Sequence, residues 1–115
     1  MHRTYVGRKD GMVKRRGFRI ELAEIECALY AHPAVREAAA VAVPDADSGV
    51  RIVVFVSCRS TTRPSVVELK TFCSTRLPVY MSPDQFVFED TLPRTSTDKI
   101  DYLALKAQLL ASRVG

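Results

Sequence analysis

Apolar and polar positions alternate over two short runs near the start of the chain, residues 11–14 and 18–20, which flank Arg15, Arg16 and Gly17. Alternation of period two is typical of strands, and a glycine between two such runs is typical of a turn, so the pattern predicts a β-hairpin. Over residues 21–31 the apolar positions recur at helical spacing instead. This second pattern predicts an amphipathic helix that ends at His32 and Pro33.

The remaining pattern predicts three strands and two further helices. Residues 35–43 (VREAAAVAV) and 50–58 (VRIVVFVSC) are β-compatible apolar runs on either side of a turn cluster, and we expect them to pair antiparallel. Ser65 with Glu68 three residues later fits a capping box, which predicts a helix from Ser65 to residue 77. Residues 85–89 (QFVFE) alternate like a strand, and Asp101 caps a last helix through residue 110.

This order of elements predicts an α+β fold: a small domain with an N-terminal β-hairpin and a three-stranded, mainly antiparallel sheet covered by helices. The length of 115 residues suits one domain with a modest core. No apolar run is long enough to cross a bilayer, and the first residues lack the apolar segment of a signal peptide. We therefore expect a cytoplasmic protein without a membrane partner.

The net charge of +4 raises the question of a nucleic-acid partner. The basic residues concentrate between Arg3 and Arg19, and the rest of the chain is close to balanced. There is no interleaving of aromatic and basic residues like that of an RNA-binding sheet. Nucleic-acid binding therefore rests on charge alone, and we do not expect it.

The residues that could carry metal or nucleophilic chemistry are sparse. Three cysteines lie far apart without a C-x-x-C spacing, so we predict no metal site and interpret Cys27, Cys58 and Cys73 as small, mostly buried side chains. The chain also lacks a phosphate-binding G-x-x-x-x-G-K-[ST] or G-x-G-x-x-G motif.

Two cationic loops remain as candidates: the predicted hairpin and residues 95–99 (TSTDK). Lys99, at the tip of a hydroxyl-rich loop before a capped helix, is placed to reach out as a point charge, although a solvated surface lysine has the same pattern. Glu21, Glu24 and Glu26 are interpreted as a solvated face at the start of a helix, where the helix dipole favours negative charge.

Two long motifs carry a family resemblance. Residues 7–26 (GRKDGMVKRRGFRIELAEIE) resemble the hinge motif of the adenylate-forming superfamily, and residues 92–101 (LPRTSTDKID) resemble its closing motif with the catalytic lysine. Residues 43–45 (VPD) and 77–83 (LPVYMSP) also fit, so the resemblance covers nearly the whole chain. The superfamily includes the adenylation domains of nonribosomal peptide synthetases, acyl- and aryl-CoA synthetases, and luciferases.

The resemblance implies a mobile C-terminal lid domain, with a linker and hinge at residues 1–10, the lid at 11–112 and a tail at 113–115. Such a lid alternates between two poses, one for formation of an acyl-adenylate and one for transfer of the acyl group to a thiol. The large N-terminal adenylation subdomain, which holds most of the ATP and Mg²⁺ site, lies outside these residues. A carrier protein or CoA would supply the phosphopantetheine thiol, and the isolated lid would be inactive.

Each matching position takes a role from the resemblance. Lys99 would be catalytic, its ammonium bridging the substrate carboxylate and the α-phosphate. Asp10 would be the hinge, and Arg8 and Arg19 would bind the nucleotide. Gly17 would line the pantetheine tunnel, where a side chain would block the thiol.

One position departs from the family pattern, because Asp98 stands where a glycine usually precedes the lysine. Aspartate tolerates left-handed torsions better than most residues, but its charge beside Lys99 invites an ion pair. The residues of both motifs resemble most closely those of a ligase that activates an amino acid and loads a carrier protein. The alternatives are an acyl- or aryl-CoA synthetase and a free-standing, non-catalytic lid or interaction module.

Overall fold

A computed structural model of the chain describes residues 11–46, 49–59 and 63–114. The elements in chain order are β1 (Met12–Arg15), β2 (Phe18–Glu21), α1 (Leu22–Tyr30), β3 (Val35–Asp45), β4 (Gly49–Cys58), α2 (Val66–Ser74), a short 3-10 turn (Val79–Met81), β5 (Gln85–Phe88) and α3 (Tyr102–Val114). The predicted α+β fold is confirmed. No helix in these ranges is both long enough and apolar enough to span a membrane.

The N-terminal hairpin pairs β1 with β2 antiparallel, with Val13 opposite Ile20. Its turn has two residues, Arg16 at φ 53° and Gly17 at φ 86°. Positive φ at both central residues is the torsion pattern of a type I′ turn, whose twist matches that of the flanking strands. The turn is therefore tighter than predicted, and Arg15 belongs to β1.

The main sheet has the order β3-β4-β5. β3 and β4 pair antiparallel over their whole length, as predicted, whereas β5 pairs parallel to β4. A parallel neighbour requires a crossover connection, and α2 supplies it between the end of β4 and the start of β5. The sheet is thus mainly, but not wholly, antiparallel.

Both faces of the sheet are covered by helices. Ile52, Val54 and Val56 of β4 pack in a cluster with apolar residues of α1 and α2, and Val53 and Phe55 pack on the opposite face with residues of α3. All five side chains are fully buried. A strand that is buried on both faces needs a continuous apolar run, which explains why β4 does not alternate.

The predicted helix caps are present. The backbone N–H of Glu68 donates to Ser65 Oγ at 3.0 Å, and that of Ala104 donates to Asp101 Oδ1 at 3.0 Å. The carboxylate of Glu68 lies 3.1 Å from Nε2 of His32, so it links α2 to the end of α1. α3 continues beyond residue 110, where the prediction ended it.

Two predictions of side-chain burial were wrong, because Glu26 was expected in a solvated face and Cys27 was expected to be buried. Glu26 is only 1% exposed, because it lies four residues after Leu22 and three before Leu29 and therefore faces the sheet, where it meets hydrogen-bond donors. Cys27, the next residue on α1, points outward and is exposed, while Cys73 is buried as expected.

Candidate functional site

The first candidate loop, residues 92–101, is called the lysine loop. It narrows at an antiparallel bridge between Arg94 and Ile100, and the N–H of Thr95 donates to the carbonyl of Lys99 at 2.7 Å. The N–H of Asp98 donates back to the carbonyl of Thr95 at 2.9 Å, which closes a tight turn. Lys99 is exposed directly after this turn, and its ammonium makes no salt bridge with the residues that the structure describes.

Asp98 adopts φ 64°, a left-handed torsion that favours glycine and that aspartate tolerates. The position therefore has a torsion that glycine, the residue expected here from the family resemblance, adopts easily. The Asp98 side chain is 90% exposed, and its Oδ1 lies 3.9 Å from Nε of Arg94. Its carboxylate is thus directed toward Arg94, and Lys99 remains exposed.

The beginning of the lysine loop is anchored to β3. Arg94 forms an ion pair with Glu37, whose Oε1 accepts a hydrogen bond from Ser57 Oγ at 3.2 Å. The pairing of β3 with β4 shifts register between Val35 and Glu37, as at a β-bulge. A bulge changes which face the following side chains take, so Glu37 shares the α3 face of the sheet with Ala39.

The residue that follows the lysine loop is anchored by Glu26 of α1. Tyr102, the first residue of α3, donates its O–H to Glu26 Oε2 at 2.8 Å. The same carboxylate oxygen accepts the backbone N–H of Ala40 at 2.8 Å. Within the loop, Leu92 is buried and Ile100 packs beside it against the α3 face. The loop is therefore held at both ends.

The second candidate, the hairpin of β1 and β2, is called the arginine hairpin. Arg15 is buried, and its Nη1 donates to Asp84 Oδ2 at 2.6 Å. Its Nη2 donates to the carbonyls of Tyr80 and Ser82 at 3.0 and 2.7 Å. Asp84 Oδ2 also accepts the N–H of Ile52 at 2.8 Å, so one carboxylate joins the hairpin to the central strand.

The arginine hairpin carries two of the predicted site residues, Gly17 in its turn and Arg19 in β2. Gly17 has positive φ, and a Cβ built on it would meet nothing within 4 Å, so the torsion and not the space around it favours glycine. Arg19 is exposed on β2. Phe18 stacks on Tyr80 with ring centroids 4.2 Å apart, beside a cleft of about 430 Å³.

The two loops are anchored near opposite ends of β4. The arginine hairpin reaches β4 through Asp84 at Ile52, and the lysine loop reaches it through Glu37 at Ser57. Ser57 lies five residue steps along the strand from Ile52, or about 17 Å. The structure therefore does not bring the two anchors together. The other predicted site residues, Arg8 and Asp10, lie outside the described residues.

The anchoring residues were missed by the sequence analysis, although two of them carried a signal. Arg15 shares strand parity with Val13, and Glu26 shares a helix face with Leu22 and Leu29, so both occupy inward positions of their patterns. Asp84 and Glu37 carried no comparable local signal. Among the described residues, no group of three or more His, Cys, Asp or Glu side chains is arranged to hold a metal ion.

Comparison with known proteins identifies the family. The model of the AMP-binding enzyme C-terminal domain matches residues 24–99, and the chain belongs to this family. The resemblance to adenylate-forming enzymes is thereby confirmed.

Curated relatives align with most of this chain. Chondramide synthase cmdD of Chondromyces crocatus is 45% identical over 97 residues, which cover 84% of this chain and 2% of the synthase. An L-proline--[L-prolyl-carrier protein] ligase of Pseudomonas fluorescens is 42% identical over 105 residues, which cover 91% of this chain and 21% of the ligase. The chain thus spans about a fifth or less of these relatives.

Solved structures share the fold. The Mycobacterium tuberculosis fatty acyl CoA synthetase superimposes with a TM-score of 0.83 at 30% identity, covering 91% of this chain and 21% of that one. The ATP-bound RpMatB-BxBclM chimera B1 superimposes with a TM-score of 0.82 at 33% identity, covering 90% and 21%.

Proposed function

We propose that this chain is the mobile C-terminal domain of an ATP-dependent ligase that activates a carboxylic acid as an acyl-adenylate. The acid is an amino acid in this proposal, and the acyl group then passes to the phosphopantetheine thiol of a carrier protein. The family membership and the relative named as an L-proline--[L-prolyl-carrier protein] ligase support this proposal. A CoA synthetase is the second candidate, favoured by the fold shared with the fatty acyl CoA synthetase.

The observation that carries the proposal is the presentation of Lys99. Its ammonium is exposed after a turn that is closed by hydrogen bonds, and both ends of its loop are anchored. An anchored backbone reduces the reorganisation that is needed to bring the ammonium to developing negative charge. In the adenylation pose, Lys99 would contact the substrate carboxylate and the α-phosphate, and it would orient one toward the other.

The arginine hairpin would serve the nucleotide and the thiol. Arg19 is exposed on β2 and fits an anionic phosphate, and Arg8 is assigned to the same nucleotide. Gly17 projects no side chain from the hairpin turn, which suits close approach of a pantetheine arm. Asp10 is proposed as the hinge, with residues 1–10 as linker, 11–112 as lid and 113–115 as tail. Mg²⁺ and most of the ATP contacts are assigned to the large N-terminal subdomain.

The test is pyrophosphate exchange by the full-length ligase with Lys99→Ala. We expect exchange to fall at least about 100-fold, as when an electrostatic transition-state contact is removed elsewhere. Transfer to the carrier thiol from a supplied acyl-adenylate should stay within a few fold, because Lys99 serves the other pose. Lys106→Ala, which removes a lysine from α3, should retain full exchange. Unchanged exchange in Lys99→Ala would refute the assignment.

The thiol acceptor is tested separately. The full-length ligase is offered a phosphopantetheinylated carrier protein and CoA at equal concentration, and acyl thioesters are quantified by mass spectrometry. Carrier loading in excess supports the proposal, and acyl-CoA in excess supports the second candidate. A full-length protein without any exchange, for any amino acid or other acid offered, would instead indicate a non-catalytic lid.

A further inference from the structure

We infer that two buried glutamates, Glu26 of α1 and Glu37 of β3, are positioning residues that set the orientation of Lys99 for adenylation. Each glutamate holds one end of the lysine loop, and neither reaches the loop tip. The inference rests on the proposed role of Lys99, and it adds the residues through which the rest of the domain would control that lysine.

The first contact leads from Glu37 to the residue beside Lys99. The Glu37 side chain is 11% exposed, and its carboxylate pairs with the guanidinium of Arg94. Arg94 also donates from Nη1 to the carbonyl of Asp98 at 3.3 Å. A guanidinium is planar and offers several donors in fixed directions, so it can transmit the orientation of one acceptor to another. The peptide between Asp98 and Lys99 is therefore oriented from β3.

The second contact holds the chain three residues after Lys99. Tyr102 donates to Glu26, and Glu26 is fixed in turn by the backbone N–H of Ala40 in β3. Because the strand amide binds the same carboxylate oxygen, the carboxylate cannot follow the loop if the loop moves. Hydrogen bonds to a buried carboxylate are short and strongly directional, so the start of α3 is oriented as well as attached.

Apolar packing alone would not provide this orientation. Leu92 and Leu105 anchor the region by burial, and the hydrophobic effect is not directional. The lysine side chain is a flexible four-carbon stem, so the position of its ammonium depends on how its backbone is held. A displacement of about 1 Å in a reacting group is enough to lower a rate about 100-fold. The polar contacts are therefore expected to matter for rate beyond their effect on stability.

The test compares two tyrosines that each contribute one hydroxyl to a contact near β3. Tyr102→Phe removes the donor to Glu26 and keeps the ring. Tyr30→Phe is the matched control, because the Tyr30 hydroxyl bonds to β3 away from the lysine loop. This hydroxyl accepts the N–H of Ala38 at 3.2 Å and lies 3.4 Å from the carbonyl oxygen of Ala38. In the full-length ligase, Tyr102→Phe should lower pyrophosphate exchange about 10- to 100-fold and leave thiol transfer within about twofold. Tyr30→Phe should leave both within about twofold.

Glu37→Gln tests the other end of the loop. It keeps an oxygen acceptor but removes the charge that pairs with Arg94, and it should give the same selective loss of exchange. Equal loss of both half-reactions, together with a lower unfolding midpoint, would indicate a merely structural role and overturn the inference. So would exchange within twofold of wild type in Tyr102→Phe when Lys99→Ala abolishes exchange.

Hydrogen exchange on the 115-residue chain gives a readout that does not depend on activity. The amides of Asp98 and Lys99 bond within the loop, to the carbonyl and to Oγ1 of Thr95. They should exchange at least about fivefold faster in Tyr102→Phe, while β4 amides keep their rates. If Lys99→Ala retains pyrophosphate exchange, the proposed function fails. The hydrogen-exchange rates of the loop amides would still show whether Glu26 holds the loop. Unchanged loop amides would overturn the inference in either case.

Discussion

Arg15 is the buried cation on which the position of the arginine hairpin depends, and Arg15→Met is the most direct perturbation of it. The methionine keeps an unbranched apolar stem but loses the ion pair to Asp84 and the hydrogen bonds to two backbone carbonyls. Arg16→Met is the control, because it removes the same charge from the next, exposed residue.

The magnitude follows from the burial of the partners. Removing one member of a fully buried ion pair costs about 3–5 kcal/mol. The Asp84 side chain is 41% exposed and keeps the N–H of Ile52, so water and that amide recover part of the loss. We therefore expect Arg15→Met to lower the free energy of unfolding by about 2–3 kcal/mol. A chain of this length has about 6–17 kcal/mol in total, so the variant should still fold.

The assay is urea unfolding followed by far-ultraviolet circular dichroism, since the chain has no tryptophan to report by fluorescence. The urea concentration at the midpoint should fall in Arg15→Met, while the dependence of the unfolding free energy on urea concentration stays unchanged. This combination identifies a change of stability and not a change in the surface that unfolding exposes. Arg16→Met should stay within about 0.5 kcal/mol of wild type. If the two variants unfold within about 0.5 kcal/mol of each other, the hydrogen bonds of Arg15 do not hold the hairpin as described.

Two further predictions concern single positions. Gly17→Ala should cost about 1–2 kcal/mol in urea unfolding because of its positive φ, and Gly17→Asn should cost less; a loss above about 3 kcal/mol would contradict the open space around this residue. Burial raises the pKa of the Cys73 thiol from 9.0 to about 11, so the folded chain keeps a proton that the unfolded chain releases between these values. Stability should fall as the pH rises through this window, by up to about 3 kcal/mol, and less in Cys73→Ala; equal slopes would refute the attribution to Cys73.

The elements of this fold were predictable because their signals are local. The alternation around Gly17, the cap at Ser65 and the apolar run of β4 each follow from neighbouring residues, and the structure confirms all three. The parallel pairing of β5 was not predicted, because it depends on how α2 crosses the sheet and not on the strand's own residues. The left-handed torsion at Asp98 agrees with the glycine that the family resemblance leads one to expect there.

The polar contacts that hold the candidate site were beyond prediction for the opposite reason. Arg15 and Asp84 are 69 residues apart in sequence, and Glu26 and Tyr102 are 76 apart. Neither pair has a spacing that a periodic pattern can reveal. A charged residue on a helix is usually solvated, and that average led to the wrong interpretation of Glu26, which is buried because donors from β3 and α3 meet it.

The antiparallel ladder of β3 and β4 holds the attachment points of the two loops at a fixed distance from each other. The arginine hairpin is attached near Ile52 at one end, and the lysine loop is attached near Ser57 at the other. Because a paired strand that is covered on both faces does not bend readily, rotation about the hinge proposed at Asp10 would move both loops together. Lengthening both strands by two residues would increase the distance between the two attachment points by about 7 Å and leave each loop intact. In the proposed rotation, the length of this ladder would therefore set how far apart the two loops meet a partner surface.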